Sequence, residues 1–148
     1  MHVHKTTYTH RVTFSDCDPA RMAYYPRILE WFDHSTDHLF RSVGLCWEDM
    51  FARNEPQGMP LLDISVQFKF PCRFGDLVAI ETCIDSFEGR KFTVKHEMKN
   101  GEHLAATCRE HRAWVMLDPG SPRGIKAVPV PEAVRRLFHR PLAEAVFR

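Results

Sequence analysis

Residues 25–44 read YPRILEWFDHSTDHLFRSVG. Apolar side chains fall at Tyr25, Ile28, Leu29, Phe32, Leu39, Phe40 and Val43, spaced by three and four, the period of one helix face. Pro26 suits the first helical turn, where its missing N–H is not needed, and Gly44 suits the position just past the end. The spacing predicts a helix of about five turns, the longest in the chain. Beyond it the period changes. Leu62, Ile64, Val66, Phe68 and Phe70 alternate with Asp63, Ser65, Gln67 and Lys69, so a strand with one buried and one polar face is expected. Val78, Ile80, Thr82 and Ile84 form the next alternating face, and a turn at Glu88-Gly89 leads into Phe92, Val94, His96 and Met98. Asn100-Gly101 is a strong hairpin signal, and a long strand over residues 103–117 follows it. A short extended piece near 125–129 and a helical segment around Val134, Leu137 and Phe138, cut by Pro141, close the chain. Upstream of these, residues 6–14 read as a first strand and 45–60 as a loop.

The order is strand, long helix, then strands joined by short turns. Short links make antiparallel neighbours, so a doubly wound parallel sheet is excluded. One long amphipathic helix against an antiparallel sheet is a two-layer α+β domain. A chain of 148 residues buries roughly 70% of its unfolded surface, enough for a core without staples. One domain over residues 1–148 is expected, with its core at about 6–131 and a helical tail over 131–148.

Charge and cysteine content narrow the function classes. Twenty Lys and Arg against nineteen Asp and Glu leave a net charge of +1, so a nucleic-acid partner is not expected. Five cysteines, an odd count with no CxxC pair, fit reduced thiols in a cytoplasmic protein better than disulfides or a zinc site. The polar N-terminus lacks an apolar signal core, and no apolar run approaches the ~18 residues of a span, so no membrane association is expected. No Gly-rich phosphate loop and no Gly-x-Ser-x-Gly elbow is present.

The chemistry-bearing stretch is Ser15-Asp16-Cys17-Asp18-Pro19, just ahead of the long helix. A helix start offers unpaired N–H groups and partial positive charge, able to stabilise an oxyanion. A carboxylate beside it is placed to act as a nucleophile or as a base on water. Pro26 donates nothing, so the N–H of Tyr25 or Tyr24 is the expected oxyanion donor. On pattern alone, Asp16 and Asp18 read more readily as cap and turn formers than as catalytic groups. Cys17 could carry a lowered thiol pKa near a helix start, although no histidine partner is recognisable. His34 and His38 have the four-residue spacing of a two-ligand metal face, but no third ligand is legible, and no metal site is assigned.

Phe14-Ser15-Asp16-Cys17-Asp18-Pro19-Ala20, then Tyr25-Pro26, then Trp31 and Asp33, resembles the signature of 4-hydroxybenzoyl-CoA thioesterases of the Pseudomonas type, in the hot-dog superfamily. Gly58 and Pro60, Asp76, the stretch Ile80 to Ile84, Arg90 and Phe92, Glu110 and Arg112, and Ala127-Val128-Pro129 extend the likeness over about residues 8–131. The resemblance implies a hot-dog fold, an antiparallel sheet wrapped around one long central helix. It also implies hydrolysis of an acyl-CoA substrate, with Asp18 catalytic and the Tyr25 N–H polarising the thioester carbonyl. Asp33, Trp47, Met59 and Arg21 become the substrate-binding candidates, and Arg90 and Lys91 the candidates for CoA phosphates. Dimers joined edge to edge and paired into tetramers, with active sites between subunits, are likewise implied. No cofactor is required. The sequence also departs from the pattern. Arg21 stands where the family usually has Gly, and Met59 stands where the 4-hydroxybenzoyl enzymes carry a small hydroxyl residue, which implies a different acyl group. The alternatives are a non-catalytic acyl-CoA or acyl-carrier binding module on the same fold, and a dehydratase, which needs a histidine that the loop does not offer.

Overall fold

Helix α1 spans Tyr25–Ser42 and turns Ile28, Trp31, Phe32, Ser35, Thr36, Leu39 and Phe40 inward. The computed structural model describes residues 1–141. In it α1 lies against a five-stranded antiparallel sheet built from β2 (Lys5–Arg11), β3 (Leu61–Phe68), β4 (Leu77–Glu88), β5 (Lys91–Asn100) and β6 (His103–Ala113). The strand order is β2-β4-β5-β6-β3. Short elements surround this core. They are β1 (His2–Val3) paired with β9 (His139–Arg140), β7 (Val115–Leu117) paired with β8 (Ile125–Ala127), and the helices α2 (Trp47–Ala52) and α3 (Glu132–Phe138).

The period-two faces of β4, β5 and β6 are the inner faces: Val78, Ile80, Thr82 and Ile84; Phe92, Val94, His96 and Met98; Ala106, Cys108, Glu110 and Arg112 are all buried. They form two apolar clusters. One gathers Ile28, Trp31, Phe32, Val78, Ile80 and Met98. The other gathers Leu39, Phe40, Met50, Met59, Ile84, Phe92, Trp114 and Phe138. Each fully buried Leu, Ile or Phe contributes about 1.5–3 kcal/mol. Between the clusters runs a buried polar layer of Thr36, Thr82, His96, Glu110 and Arg112.

Several expectations shift. The first strand ends at Arg11, because Thr13 N–H turns to the Asp16 side chain and Phe14–Asp16 winds into a short 3-10 turn. Residues 45–60 are not only loop. Glu48 and Asp49 in the first turn favour the positive helix end, and Trp47–Ala52 forms α2. The long strand over 103–117 breaks at Trp114, whose N–H bonds the Arg90 carbonyl. The alternating face from Leu62 to Phe70 is not buried as expected. Ile64 and Val66 are half-buried, while Leu62, Phe68 and Phe70 are exposed, since β3 is a sheet edge that α1 does not reach across. The segment past 131 is helical only to Phe138, which is fully buried in the second cluster. The part of the expected helical tail over 142–148 lies outside the described residues. No helix among the described residues is long and apolar enough to cross a membrane.

Candidate active site

The loop before α1 is built on Asp16, not Asp18. Asp16 Oδ2 accepts Thr13 N–H at 2.8 Å, the Thr13 hydroxyl at 2.9 Å and His10 Nε2–H at 2.8 Å. Its own carbonyl accepts the N–H of Tyr24. Burial pushes the Asp16 carboxyl up, but the bonds from His10 and Thr13 outweigh it and hold the group below the usual carboxylate range. Asp16 is therefore a buried anionic brace between β2, the loop and the helix start.

Asp18 is exposed. Its Oδ1 accepts the N–H groups of Ala20 at 2.9 Å and Met22 at 3.4 Å, which closes the loop and leaves Oδ2 without a hydrogen bond among the described residues. Arg21 N–H bonds the Asp18 carbonyl, and Arg21 sits at φ 64°, in the left-handed region that favours glycine. Asp18, Pro19, Arg21, Cys17, Phe14 and Phe74 line a cavity of about 530 Å³. Phe14 and Phe74 meet edge to face at 6.0 Å and are both exposed. The Cys17 thiol is not lowered. Burial and the neighbouring Asp16 and Asp18 carboxylates push it up, which disfavours a thiolate.

The N–H groups of Tyr24 and Tyr25 differ in their hydrogen bonding. Tyr24 N–H is taken by the Asp16 carbonyl. Tyr25 N–H, the first of α1 and followed by Pro26, makes no hydrogen bond among the described residues. Tyr25 lines a second hollow of about 370 Å³ with Met22, Ile28, Phe68, Phe70 and Cys72, at the end of β3.

Trp47 and Met59 line a third cavity, of about 400 Å³, with Phe51, Gln57, Pro60 and Arg112. Trp47 Nε1 and Gln57 Oε1 are buried without a partner among the described residues. Asp33 does not line this cavity; it reaches Arg112, with Nη2–H donating to Oδ1 at 3.0 Å. Arg90 and Lys91 are exposed, Arg90 in the turn between β4 and β5 and Lys91 at the start of β5, where it faces Ala113 across the sheet. The sheet thus has two ends. Asp18, Arg21 and Tyr25 lie at the Phe68 end; Trp47, Met59, Arg90 and Lys91 lie at the Leu61 end. Phe68 pairs with Ala106 and Leu61 with Arg112, six residues apart on β6, so about 20 Å separates the ends.

His34 and His38 flank the Tyr8 ring at 6.3 and 5.8 Å, an aromatic contact of β2 with α1. Among the described residues the one group with metal-like spacing is His96, Cys108 and Glu110. Both His96 nitrogens already meet side chains, Thr82 Oγ1 and Glu110 Oε2, each at 2.7 Å. Burial pushes the Cys108 thiol up to about 12. That donor set fits a hydrogen-bonded core better than a thiolate site.

The family model of the thioesterase-like superfamily matches residues 12–138. The chain belongs to that superfamily. Among solved structures, the 4-hydroxybenzoyl CoA thioesterase of Pseudomonas sp. strain CBS-3 superposes with a TM-score of 0.80 at 27% identity, covering 90% of this chain and 98% of that one. A mutant of a 4-hydroxybenzoyl CoA thioesterase complexed with 4-hydroxybenzoyl CoA gives a TM-score of 0.82 at 26% identity, over 91% and 99%. By sequence, the 4-hydroxybenzoyl-CoA thioesterase of Pseudomonas sp. (strain CBS-3) is 28% identical over 81% of this chain and 89% of its own length. A putative acyl-CoA thioesterase of Bacillus subtilis is 26% identical over 68% and 70%. The architecture is the hot-dog fold of these thioesterase-superfamily structures.

Two residues of this superfamily member were not legible as site residues. His10 lies on β2, six positions before its partner Asp16, and its ring also packs on Trp31 at 4.5 Å. A histidine does reach the loop, but it is committed to Asp16. Arg112 matches the family pattern in sequence, yet its role depends on which three segments converge on it, and no spacing encodes that.

Proposed function

We propose that this protein is an acyl-CoA thioesterase in which Asp18 and the Tyr25 N–H carry the chemistry. What supports the reading is an exposed carboxylate that keeps one oxygen unbonded and, at the helix that follows its loop, a first N–H without a partner, both among the described residues. The protein is a thioester hydrolase. Either Asp18 attacks the carbonyl, forming a mixed anhydride as the C–S bond breaks, which water then hydrolyses to the acid and free Asp18, or Asp18 takes a proton from water as it adds and the C–S bond breaks as the intermediate collapses. In both, the oxyanion is held by Tyr25 N–H and the positive end of α1, and the thiolate takes up the proton that water gives up and leaves as CoA thiol.

The acyl group is aromatic, similar to 4-hydroxybenzoyl, and enters the cavity of Trp47 and Met59. Trp47 and Phe51 give that cavity an aromatic lining suited to packing on a ring. Arg90 and Lys91 meet the CoA phosphates. In one chain this cavity lies about 20 Å from the Tyr25 end. A two-fold pairing of β3 with β3 of a second copy supports a shared site, because antiparallel pairing sets the Leu61 end of one strand beside the Phe68 end of the other. The exposed Leu62, Phe68 and Phe70 at that edge would be covered by the same contact. The working unit is a homodimer, paired into a tetramer.

The test is free-thiol release from a panel of aromatic, short aliphatic and long aliphatic acyl-CoAs. Turnover with an aromatic preference is expected. Binding of acyl-CoA with no thiol released from any member would point instead to a carrier module.

A further inference from the structure

Arg112 on β6 is the point on which three other chain segments converge. Nε–H donates to Glu110 Oε1 at 2.8 Å on the same strand, Nη1–H to the Met59 carbonyl at 3.0 Å, and Nη2–H to Asp33 Oδ1 on α1 at 3.0 Å. The guanidinium carbon stands 5.7 Å from the centre of the Trp47 ring on α2. Asp33, Trp47 and Met59 thus meet through one side chain, although no hydrogen bond joins any two of them among the described residues. A planar fork can hold several acceptors in one fixed geometry, which a lysine ammonium cannot.

The fork is itself clamped from behind. Glu110 is 2% exposed and accepts the Thr36 hydroxyl at 3.0 Å and His96 Nε2–H at 2.7 Å. His96 is fully buried, held by Thr82 and covered by the Phe32 ring at 5.0 Å. Burial pushes the Glu110 carboxyl up, but the bond and charge of His96 and the charge and bond of Arg112 outweigh it and keep the group below its ordinary value. Buried ion networks of this kind often stabilise a fold no better than apolar residues of similar volume. Stability alone is therefore a poor reason for this one, whereas fixing a guanidinium in the wall of a cavity is a specific result.

We propose that Arg112 is the positioning residue that sets acyl selectivity: clamped by Glu110, which His96 and Thr36 hold, it fixes the Met59 loop and the Trp47 ring as one cavity wall and ties that wall to Asp33 on α1. This rests on the thioesterase reading above. The guanidinium acts through those three groups and takes no part in the bond changes at the thioester.

The experiment measures kcat and KM for thiol release from benzoyl-CoA, 4-hydroxybenzoyl-CoA, butyryl-CoA and decanoyl-CoA. The proteins are wild type, Arg112→Lys, Arg112→Met, and Arg112→Met combined with Glu110→Gln, which leaves no carboxylate buried without its cation. Loss of the fork should lower kcat/KM for the preferred acyl group by about 10²-fold, as for a substrate misplaced by an ångström. The loss should be mainly in kcat, since a misplaced acyl group still binds, and the ratio between preferred and poor acyl groups should collapse. Arg112→Lys should recover part of that ratio. Equal loss on all four substrates, with the ranking intact in every variant that folds, overturns the role of Arg112 while wild-type turnover stands. A wild type that releases no thiol from any member defeats the thioesterase reading and the Arg112 role with it.

Discussion

His10 Nε2 lies 2.8 Å from Asp16 Oδ2, so a β2 side chain fixes the loop that presents Asp18. The same oxygen collects both donors of Thr13. Two carboxylates two residues apart thus do different work. Asp16 is 4% exposed with three donors on one oxygen, whereas Asp18 is exposed and bonded through Oδ1 to two N–H groups of its own loop.

This arrangement makes the loop acid-sensitive. The Asp16 carboxyl lies below its ordinary value in the folded protein, so as pH falls the unfolded chain binds the proton first. The stabilisation is fully present above the usual carboxylate range and is lost as pH falls through the folded value. Asp16→Asn should cost on the order of 1 kcal/mol at neutral pH, as for a lost cap, with a smaller loss of rate. Urea denaturation from pH 7 down to pH 3 should show wild type converging on the variant at the acid end. A constant gap across that range would rule out the titration.

Asp18 carries the opposite expectation. Asp18→Asn keeps an oxygen for the Ala20 and Met22 N–H groups but removes the charge. Melting and assembly should stay within error of wild type while kcat falls by at least ~10²-fold, the low end for losing a general base or nucleophile. Near-normal turnover in the folded, assembled variant would mean that another group does the chemistry.

How far the sequence could be read follows from which interactions are local. The α1 period, the hairpin turn at Asn100-Gly101 and the alternation in β4 and β5 are short-range signals, and each marks an element in the structure. The Asp18 loop was legible because its turn formers sit beside a helix start. The burial of Leu62 and Phe68 was misread because alternation shows which residues share a face, but not whether anything covers it. His10 and Arg112 were missed as site residues for a related reason. His10 reaches the loop only because β2 stops at Arg11 and the chain doubles back. Arg112 gains its neighbours from residues 53 and 79 positions away.

The CoA assignment can be tested by charge. Arg90 and Lys91 are adjacent and exposed, and among the described residues Arg90 is tied to the fold through its carbonyl, which accepts Trp114 N–H. Replacing both with Ala should leave melting unchanged and raise KM for acyl-CoA, with kcat nearly intact, as for lost uniform binding. The difference from wild type should shrink as salt rises, since exposed charges are screened. An equal effect on a pantetheine thioester, which lacks the nucleotide phosphates, would remove these residues from the CoA site.

Assembly gives the remaining test, because the proposed site is divided between two ends of the sheet. β3 is an outer strand, and Leu62 and Phe68 on it are 52% and 54% exposed in the single chain. Charges at these positions should therefore cost one folded chain little, while like charges brought together across a two-fold should oppose pairing. Light scattering of the wild type at micromolar concentration should give a dimer or tetramer, not the 17.3 kDa of one chain. Leu62→Glu combined with Phe68→Glu should shift the population toward monomer with its far-UV circular dichroism retained. Thiol release should fall in proportion to the dimer remaining, and should recover as protein concentration rises. The dependence on concentration separates a split site from simple damage, since damage within one chain is not repaired by adding more of it. A fully active monomer would show that Asp18, Tyr25 and the acyl cavity work within one chain, and the shared-site reading would have to be abandoned.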